Sequence, residues 1–213
     1  MKQLSALLLS ATVLAFTSCK SHQKKILVYA SSDIQVDATQ KNITVTEGTT
    51  HHEKELDFSG SDPVTITVQS PAGKINLEAA EDGLYIANLK PDTVLGSFQH
   101  IGTEGRDNKI TQDALKQKLD SLQKMLLDQN VSEANKNYFI APGKIAKITT
   151  ELNAKIYGPY TSIPSGFDAS AVPELYKFYS SKEIHEIVAK LEAMTGGKND
   201  VAPAADKKAD DKK

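Results

Sequence analysis

The stretch PVTITVQSPAGKINLEAAEDGLYIANL, residues 63–89, carries the clearest fold signal in the chain. In its first part the apolar residues of VTITV alternate with threonines, so one face of the segment is apolar and the other is polar. Residues 70–73, Ser-Pro-Ala-Gly, have turn chemistry. The later dipeptide Asp82-Gly83 readily takes the positive φ angles of a tight hairpin. The stretch therefore predicts short antiparallel strands joined by tight turns.

Segments of the same kind precede this stretch. The runs KILVYA, DIQV, NITVT and EKELDF are rich in β-branched residues and are separated by turn residues. Together with the stretch above they predict six or seven strands, and we assign residues 26–106 to an antiparallel β-sandwich-like domain of immunoglobulin size. The cysteines and tryptophan of an immunoglobulin core are absent, so the assignment concerns architecture alone.

Helical periodicity begins near residue 109. In KITQDALKQKLDSLQKMLLDQ the leucines at 115, 119, 122 and 126, with Met125, step by three and four and form one stripe. Thr111 is placed to cap this helix, and Asp113 lies in its first turn. A second helix is predicted in SSKEIHEIVAKLEAMTGG, where Ser180 and Glu183 have the spacing of a capping box.

The segment between these helices is ambiguous. Its apolar positions, Ile145, Ile148, Leu152 and Ile156, fit a helix, but the threonine pair at 149–150 and the run AKIYGPYTSIP also fit strand or loop. We leave its first half open and describe residues 107–196 as a mainly helical region. The fold class is thus predicted as α+β. Residues 197–213, rich in Lys, Asp and Ala, have too little apolar surface to fold and are predicted to be disordered.

The first residues have the layout of an export signal. Met1-Lys2-Gln3 is a short positive start, residues 4–16 are largely apolar, and small residues precede Cys19, the one cysteine in the chain. The apolar run is too short to span a bilayer. The sequence AFTSC resembles the lipobox of bacterial lipoproteins of the Bacteroides type, with Phe16 where the family prefers Leu.

This resemblance implies a compartment and an anchor. Residues 1–18 would be a signal peptide that is removed, Cys19 would carry acyl chains including palmitate, and residues 19–25 would form a lipidated tether. Lys20 replaces the aspartate that marks inner-membrane retention, and the acidic tract for surface display is missing. The resemblance therefore implies the periplasmic face of the outer membrane. A lipidated Cys19 leaves no thiol for a disulfide or for catalysis.

Composition excludes some classes of partner. The formal net charge is -2 and the pI is about 6.2, so the chain has no excess of positive charge to attract the phosphates of nucleic acid.

The chain has no tryptophan, but aromatic residues concentrate in its C-terminal half. We regard them as a possible ligand surface, formed by Tyr157, Tyr160, Phe167 and Tyr176, although structural packing is the favoured explanation.

Metal and catalytic signatures are weak. In HHEKEL, His51 and Glu53 are candidate metal ligands, but on a strand His51 and His52 point to opposite faces, and a further ligand such as His100 or His185 would be needed. We predict no metal and no cofactor. No nucleophile elbow, P-loop or dinucleotide fingerprint is present.

Thr93 lies in a short pattern for O-glycosylation and is a candidate modification site.

Three classes of function follow from these patterns. The first is a non-catalytic, lipid-anchored envelope protein that binds another envelope protein or acts as a scaffold. The second is a periplasmic binding module for a small molecule or glycan, using the aromatic residues and the loop at residues 102–107. The third, a hydrolase, ranks last because no catalytic constellation is visible.

Overall fold

The computed structural model describes residues 22–99, 112–132, 134–168 and 171–195. Within these ranges the protein is α+β with a β-rich body. The elements in chain order are β1 (Gln23–Ala30), β2 (Ile34–Asp37), β3 (Asn42–Val45), β4 (His52–Ser59), β5 (Val64–Ser70), β6 (Gly73–Ala79), β7 (Gly83–Asn88), β8 (Val94–Phe98), α1 (Gln112–Leu126), β9 (Asn137–Ile140), β10 (Lys144–Thr149), β11 (Lys155–Tyr157), β12 (Leu175–Ser180) and α2 (Ser181–Thr195).

The central sheet has the order β10-β7-β1-β4. Strand β1 pairs antiparallel with β4 and parallel with β7, and β10 closes the other edge antiparallel to β7. Every residue of β7 is buried. A strand is apolar along its whole length when both faces of its sheet are covered, and this sheet has another sheet on each face.

The outer sheet, β2-β3-β5-β6, covers one face of the central sheet. Its inward residues include Ile43, Ile66 and Val68, which pack in one core with Ile26 and Val28 of β1. Since alternate residues of a strand point to opposite faces, the threonines between them remain on the far side of the outer sheet.

The helix-covered sheet, β11-β12-β8-β9, lies against the other face of the central sheet. Tyr29 and Ile86 of the central sheet share a core with Tyr138, Tyr176 and Phe178. The opposite face of this third sheet is covered by both helices in a separate core that includes Leu95, Met125, Ile184 and Val188. The molecule is thus built as three stacked sheets with a helical layer on the last one.

Two sequence predictions about strand pairing are wrong. The pairs β1–β7, β3–β5 and β11–β12 are parallel, so the sheets are mixed and not antiparallel throughout. Asp82-Gly83 is not a hairpin turn, because β6 pairs with β5 in the outer sheet while β7 lies in the central sheet. The chain crosses between sheets at this point. The turn at residues 70–73 does form the predicted hairpin, with Ser70 opposite Gly73.

The prediction of a mainly helical region at residues 107–196 is wrong for its middle. Strands β9 to β12 lie between the two helices, and β10 completes the central sheet. Ile145 and Ile148, which also fitted a helical stripe, point to opposite faces of β10 and enter different cores. Strand β8, which we did not predict, pairs with both β9 and β12.

Both strongly periodic helices are confirmed. Met125 is buried, and Leu119, Leu122 and Leu126 pack partly buried against the third core. The capping box of α2 is formed: Glu183 Oε2 accepts a hydrogen bond from Ser180 N at 2.8 Å, and Ser180 Oγ accepts one from Glu183 N at 3.1 Å. Thr111, the proposed cap of α1, lies outside the described residues.

The predicted tether at residues 19–25 is too long at its C-terminal end. Residues 23–25 already belong to β1, and Lys24 is buried with its Nζ donating to Gly60 O at 2.9 Å. The predicted signal peptide, Cys19 and the tail at 197–213 lie outside the described residues. No helix in the described ranges is long and apolar enough to cross a membrane.

Candidate ligand cleft

Five loops, which follow β1, β3, β5, β7 and β9, meet at one end of the outer and central sheets. Strands β1 and β7 are parallel and finish at this end, and β4 and β10, antiparallel to them, start there. In the outer sheet, β3 and β5 finish at the same end. Loops gathered at one end of stacked sheets are a common location for binding sites, since the sheets hold them in place.

These segments enclose an apolar cleft of about 420 Å³, which we call the loop cleft. This volume lies within the range of roughly 300–1,000 Å³ found for small-molecule sites. Its lining is mainly apolar, with Lys90 and Glu47 as the charged residues. The lining consists of Ser31, Ser32, Val45, Thr46, Glu47, Gly48, Val68, Ser70, Pro71, Ala72, Gly73, Ile75, Leu89, Lys90, Pro91, Pro142 and Gly143.

The first wall of the loop cleft is fixed by reciprocal hydrogen bonds. Ser32 Oγ donates to Thr46 O at 2.8 Å and accepts from Thr46 N at 3.1 Å, which joins the loop after β1 to the loop after β3. Gly48 packs so tightly against this wall that a Cβ would overlap Ser31 O. The wall is therefore preformed and does not depend on a ligand for its shape.

Asn88 fixes the opposite wall. This fully buried side chain donates from Nδ2 to Asp92 O at 2.9 Å and to Ile140 O at 2.8 Å. Its Oδ1 accepts from Lys90 N at 3.0 Å, and its backbone oxygen accepts from Gly143 N at 2.8 Å. One side chain thus determines the conformation of the turn that carries Lys90.

Lys90 differs from the other buried lysines of the described chain. Lys24 and Lys177 each donate hydrogen bonds from Nζ to backbone carbonyl oxygens. Lys90 is only 5% exposed, yet among the described residues its Nζ has no hydrogen bond and no carboxylate partner. Its contact is with the face of Tyr160, whose ring centre is 5.1 Å away. A cation–π contact replaces only part of the lost hydration.

Tyr160 is held in place by α2. Its backbone takes a positive φ of 62°, and its N–H donates to Glu183 Oε1 at 2.8 Å. Glu183 therefore caps the helix with one carboxylate oxygen and anchors Tyr160 with the other. The ring over Lys90 is thereby connected to the helical layer.

A polar cluster, formed by Tyr29, His51, Glu53 and Tyr160, lies next to Lys90. His51 Nε2 is 2.8 Å from Glu53 Oε1, and the His51 ring lies 5.5 Å from the Tyr29 ring and 5.8 Å from the Tyr160 ring, centre to centre. In the described ranges, the buried Tyr29 Oη and His51 Nδ1 have no hydrogen-bond partner. Burial, together with the negative charge of Glu53, raises the pKa of Tyr29 well above its ordinary value.

Lys177 borders the same cluster. Its Nζ donates to Gly158 O and to Phe178 O, both at 2.6 Å. Burial lowers the pKa of this lysine, and the nearby Glu183 and Glu53 carboxylates oppose that effect. Gly158 has no space for a side chain, because a Cβ would overlap Glu53 Oε1. The cluster is thus a tightly packed contact between the sheets, and its charged groups already have partners.

A second, polar cavity of about 360 Å³ lies between β1, β4 and the segment around β11. Its charged residues include Lys25, Glu55 and Glu53. Lys25 Nζ is 3.0 Å from Glu55 Oε1, and Glu53 is paired with His51. Since these three charged groups already have partners and the fourth, Lys155, is exposed, we regard the loop cleft as the stronger candidate site.

Of the residues predicted as candidate metal ligands, only His51 and Glu53 lie next to each other. His51 and Glu53 share a face as expected, while His52 is paired elsewhere, 3.1 Å from Asp33. His185 is exposed, with Nδ1 2.7 Å from Ser181 O. Among the residues the structure describes, no group of three or more His, Cys, Asp or Glu could hold a metal ion. His100 and the predicted ligand loop at 102–107 lie outside those residues.

The aromatic residues predicted as a ligand surface are divided between different locations. Tyr176 is fully buried in the core. Tyr157 and Phe167 contact each other edge to face, with ring centres 5.7 Å apart, and Tyr160 is 55% exposed over Lys90. None of the four residues lines the loop cleft, and Tyr160 is connected to it only through its contact with Lys90. Thr93, the candidate modification site, is partly exposed just before β8.

Sequence reasoning missed Lys90 and the loop cleft. A lysine before Pro91 resembles an ordinary exposed turn residue, and nothing local marks it as buried. The available signal was the series of short segments of small or apolar residues at strand ends, such as SPAG and APG. Only the strand directions show that these segments converge.

No protein-family model matches this chain, and the comparisons with curated proteins and with solved structures also find no match.

Proposed function

We propose that this protein is a lipid-anchored, non-catalytic binding module of the bacterial cell envelope. The loop cleft carries the proposal: it is apolar, preformed and of a size suited to a small molecule or to one apolar side chain. The lipobox-like AFTSC sequence supports the anchor at Cys19. Lys20 after this cysteine, and the missing acidic tract, support a position on the periplasmic face of the outer membrane. Sheets below the cleft would act as a rigid, sandwich-like support.

Of the binding alternatives, the cleft favours a small amphiphilic molecule over a glycan. Glycan sites commonly present aromatic faces and several polar side chains, whereas the cleft is lined by Val45, Val68, Ile75, Leu89 and prolines. Burial of apolar ligand surface would supply most of the affinity.

Binding to the cleft is tested with the neutral dye N-phenyl-1-naphthylamine, whose fluorescence rises in apolar sites. We expect saturable binding at one site per chain. Ala72→Trp, at the exposed tip of the β5–β6 hairpin, should fill the opening and abolish the signal. Ala80→Trp, also exposed but outside the cleft, is the matched control. Equal binding by wild type and Ala72→Trp would exclude the cleft as the site.

The anchor is tested by metabolic labelling with a fatty acid. Wild-type protein should incorporate the label, and Cys19→Ala should not. Label that persists in Cys19→Ala, or its absence from wild type, would contradict the proposed anchor.

A second candidate is the protein-interaction module that the sequence favoured. Leu127 and Met194 are 64% and 63% exposed at the C-terminal ends of α1 and α2. The hydrogen bond from Gln123 to Glu192, 3.0 Å long, brings these two helix ends together. Exposed apolar residues grouped in this way are typical of a contact surface. Affinity capture of an envelope protein by wild type, but not by a Leu127→Ser, Met194→Ser double variant, would support this function.

A further inference from the structure

We infer that the loop cleft selects a ligand with one carboxylate and an apolar tail, with the carboxylate paired to Lys90. This inference rests on the proposed binding function and specifies the chemical class of the ligand.

The state of Lys90 is the first step. Lys90 is 5% exposed as a whole residue. The charged group of a largely buried lysine is normally satisfied by hydrogen bonds or by an opposite charge. Lys24 and Lys177 follow this rule through carbonyl oxygens. Lys90 has only the face of Tyr160 among the described residues. Of the three buried lysines in the described ranges, Lys90 is therefore the one whose Nζ has no hydrogen bond and can take an anion as its partner.

The position of Lys90 is the second step. The residue lines the loop cleft, and its backbone is fixed by the hydrogen bond from Lys90 N to Asn88 Oδ1. Most other lining residues are apolar or small. A charged group in an apolar site pairs more strongly than it would in water, because the local dielectric constant is lower. The combination suits a ligand with one anionic end and an apolar body.

The charge count limits the anion to a single charge. Glu47 is the other charged lining residue, and it is exposed. Its carboxylate would repel a dianion such as a phosphate monoester more strongly than a monocarboxylate. A lysine also acts as one point charge, without the paired donors that an arginine offers to phosphate. These features favour a carboxylate over phosphate.

The experiment compares three eight-carbon probes by isothermal titration calorimetry: octanoate, 1-octanol and octylamine. It uses the full-length chain with Cys19→Ser, so that no detergent is needed that would itself occupy an apolar cleft. We expect octanoate to bind at least about tenfold more tightly than 1-octanol, as is typical of one charge-assisted hydrogen bond. Octylamine should bind most weakly.

Variants assign this preference to Lys90. Lys90→Met should reduce octanoate affinity to that of 1-octanol, while Lys90→Arg should keep most of the preference. Lys144→Met removes an exposed lysine beside Gly143 that does not line the cleft, and it should behave as wild type. If Lys90→Met fails to fold, Lys90→Gln replaces it with the same expected loss of the octanoate preference, and the wild-type comparison still tests carboxylate selection.

The outcomes separate the two proposals. Equal affinity for octanoate and 1-octanol in wild type would overturn carboxylate selection but leave the apolar cleft as a binding site. Binding of none of the three probes would overturn both. An octanoate preference that persists unchanged in Lys90→Met would overturn the assignment to Lys90.

Discussion

Two buried tyrosines in one core differ in how their hydroxyl groups are satisfied. Tyr138 Oη donates to Ile148 O at 2.5 Å, whereas Tyr29 Oη has no partner among the described residues. A buried polar atom without a partner costs free energy, while a satisfied one contributes to stability. The polar cluster beside Lys90 thus contains a position where the fold is less stable than it could be.

Tyrosine-to-phenylalanine substitutions test this difference. Tyr29→Phe should leave the free energy of unfolding unchanged or raise it by up to about 1 kcal/mol, because it removes an unpartnered hydroxyl. Tyr138→Phe, the matched control, should lower it by about 1–2 kcal/mol, since it leaves Ile148 O without its donor. Urea denaturation measures both values. A loss for Tyr29→Phe as large as that for Tyr138→Phe would contradict our description of the cluster.

Helix α2 is the element that links local sequence to the candidate site. Its capping box could be predicted from the spacing of Ser180 and Glu183 alone, because caps depend on neighbouring residues. The second bond of Glu183, to Tyr160 N, joins residues 23 positions apart and had no local signal.

Substitutions at the cap separate these two roles. Ser180→Ala should lower the free energy of unfolding by about 1 kcal/mol through the lost cap. Glu183→Ala should cost more, since it removes a cap and also the anchor of Tyr160. We expect only Glu183→Ala to weaken octanoate binding, because Tyr160 covers Lys90. Equal binding losses in the two variants would show that Tyr160 is held by other contacts. Denaturation and calorimetry provide the two measurements.

Strand existence was easier to predict than strand pairing. The segments that form β1 to β7 show alternating apolar and polar residues or are rich in β-branched residues. These signals depend only on the local sequence. Pairing depends on distant segments, so Asp82-Gly83 resembled a hairpin although β6 and β7 belong to different sheets. Strand β10 was ambiguous because both of its faces meet apolar cores, which removes the alternation that identifies a half-buried strand.

At the scale of the whole molecule, the two halves of the chain share one sheet. Strand β10 forms the edge next to β7, and the helix-covered sheet buries Tyr29 and Ile86 of the central sheet. The N-terminal segment at 26–106, which we predicted as a domain, therefore has an apolar face that depends on later residues.

Truncation tests this dependence. A chain ending at residue 106 should lose cooperative unfolding, because the face carrying Tyr29 and Ile86 would be exposed to water. Circular dichroism during thermal unfolding measures cooperativity. A truncated chain that unfolds as sharply as the full chain would show that residues 26–106 form an independent domain.

Glu174 connects the central and helix-covered sheets and makes stability depend on pH. Burial alone would raise the pKa of this carboxyl, but hydrogen bonds from Lys136, Thr149 and Tyr176 outweigh that effect and lower it below its ordinary value of 4.5. A carboxylate with a lowered folded pKa stabilises the fold fully above its unfolded pKa and loses this contribution as the pH falls through the folded value.

Glu174→Gln should therefore be less stable than wild type at about pH 7, and the difference should narrow as the pH falls below about 4.5. Urea denaturation across this range gives the comparison. Glu186→Gln, an exposed change on α2, is the control and should stay close to wild type throughout. A difference for Glu174→Gln that is independent of pH would contradict the assigned role.

The central claim is that distant loops form one binding site, and amide chemical-shift mapping with octanoate tests it most directly. The predicted result is that the shifted amides cluster at Ser32, Gly48, Ala72, Lys90 and Gly143, which are far apart in sequence and meet in the loop cleft. Gly60 and Asp82, at the opposite end of the sheets, should not shift. Shifts centred on that opposite end, or no saturable shifts at all, would contradict the account.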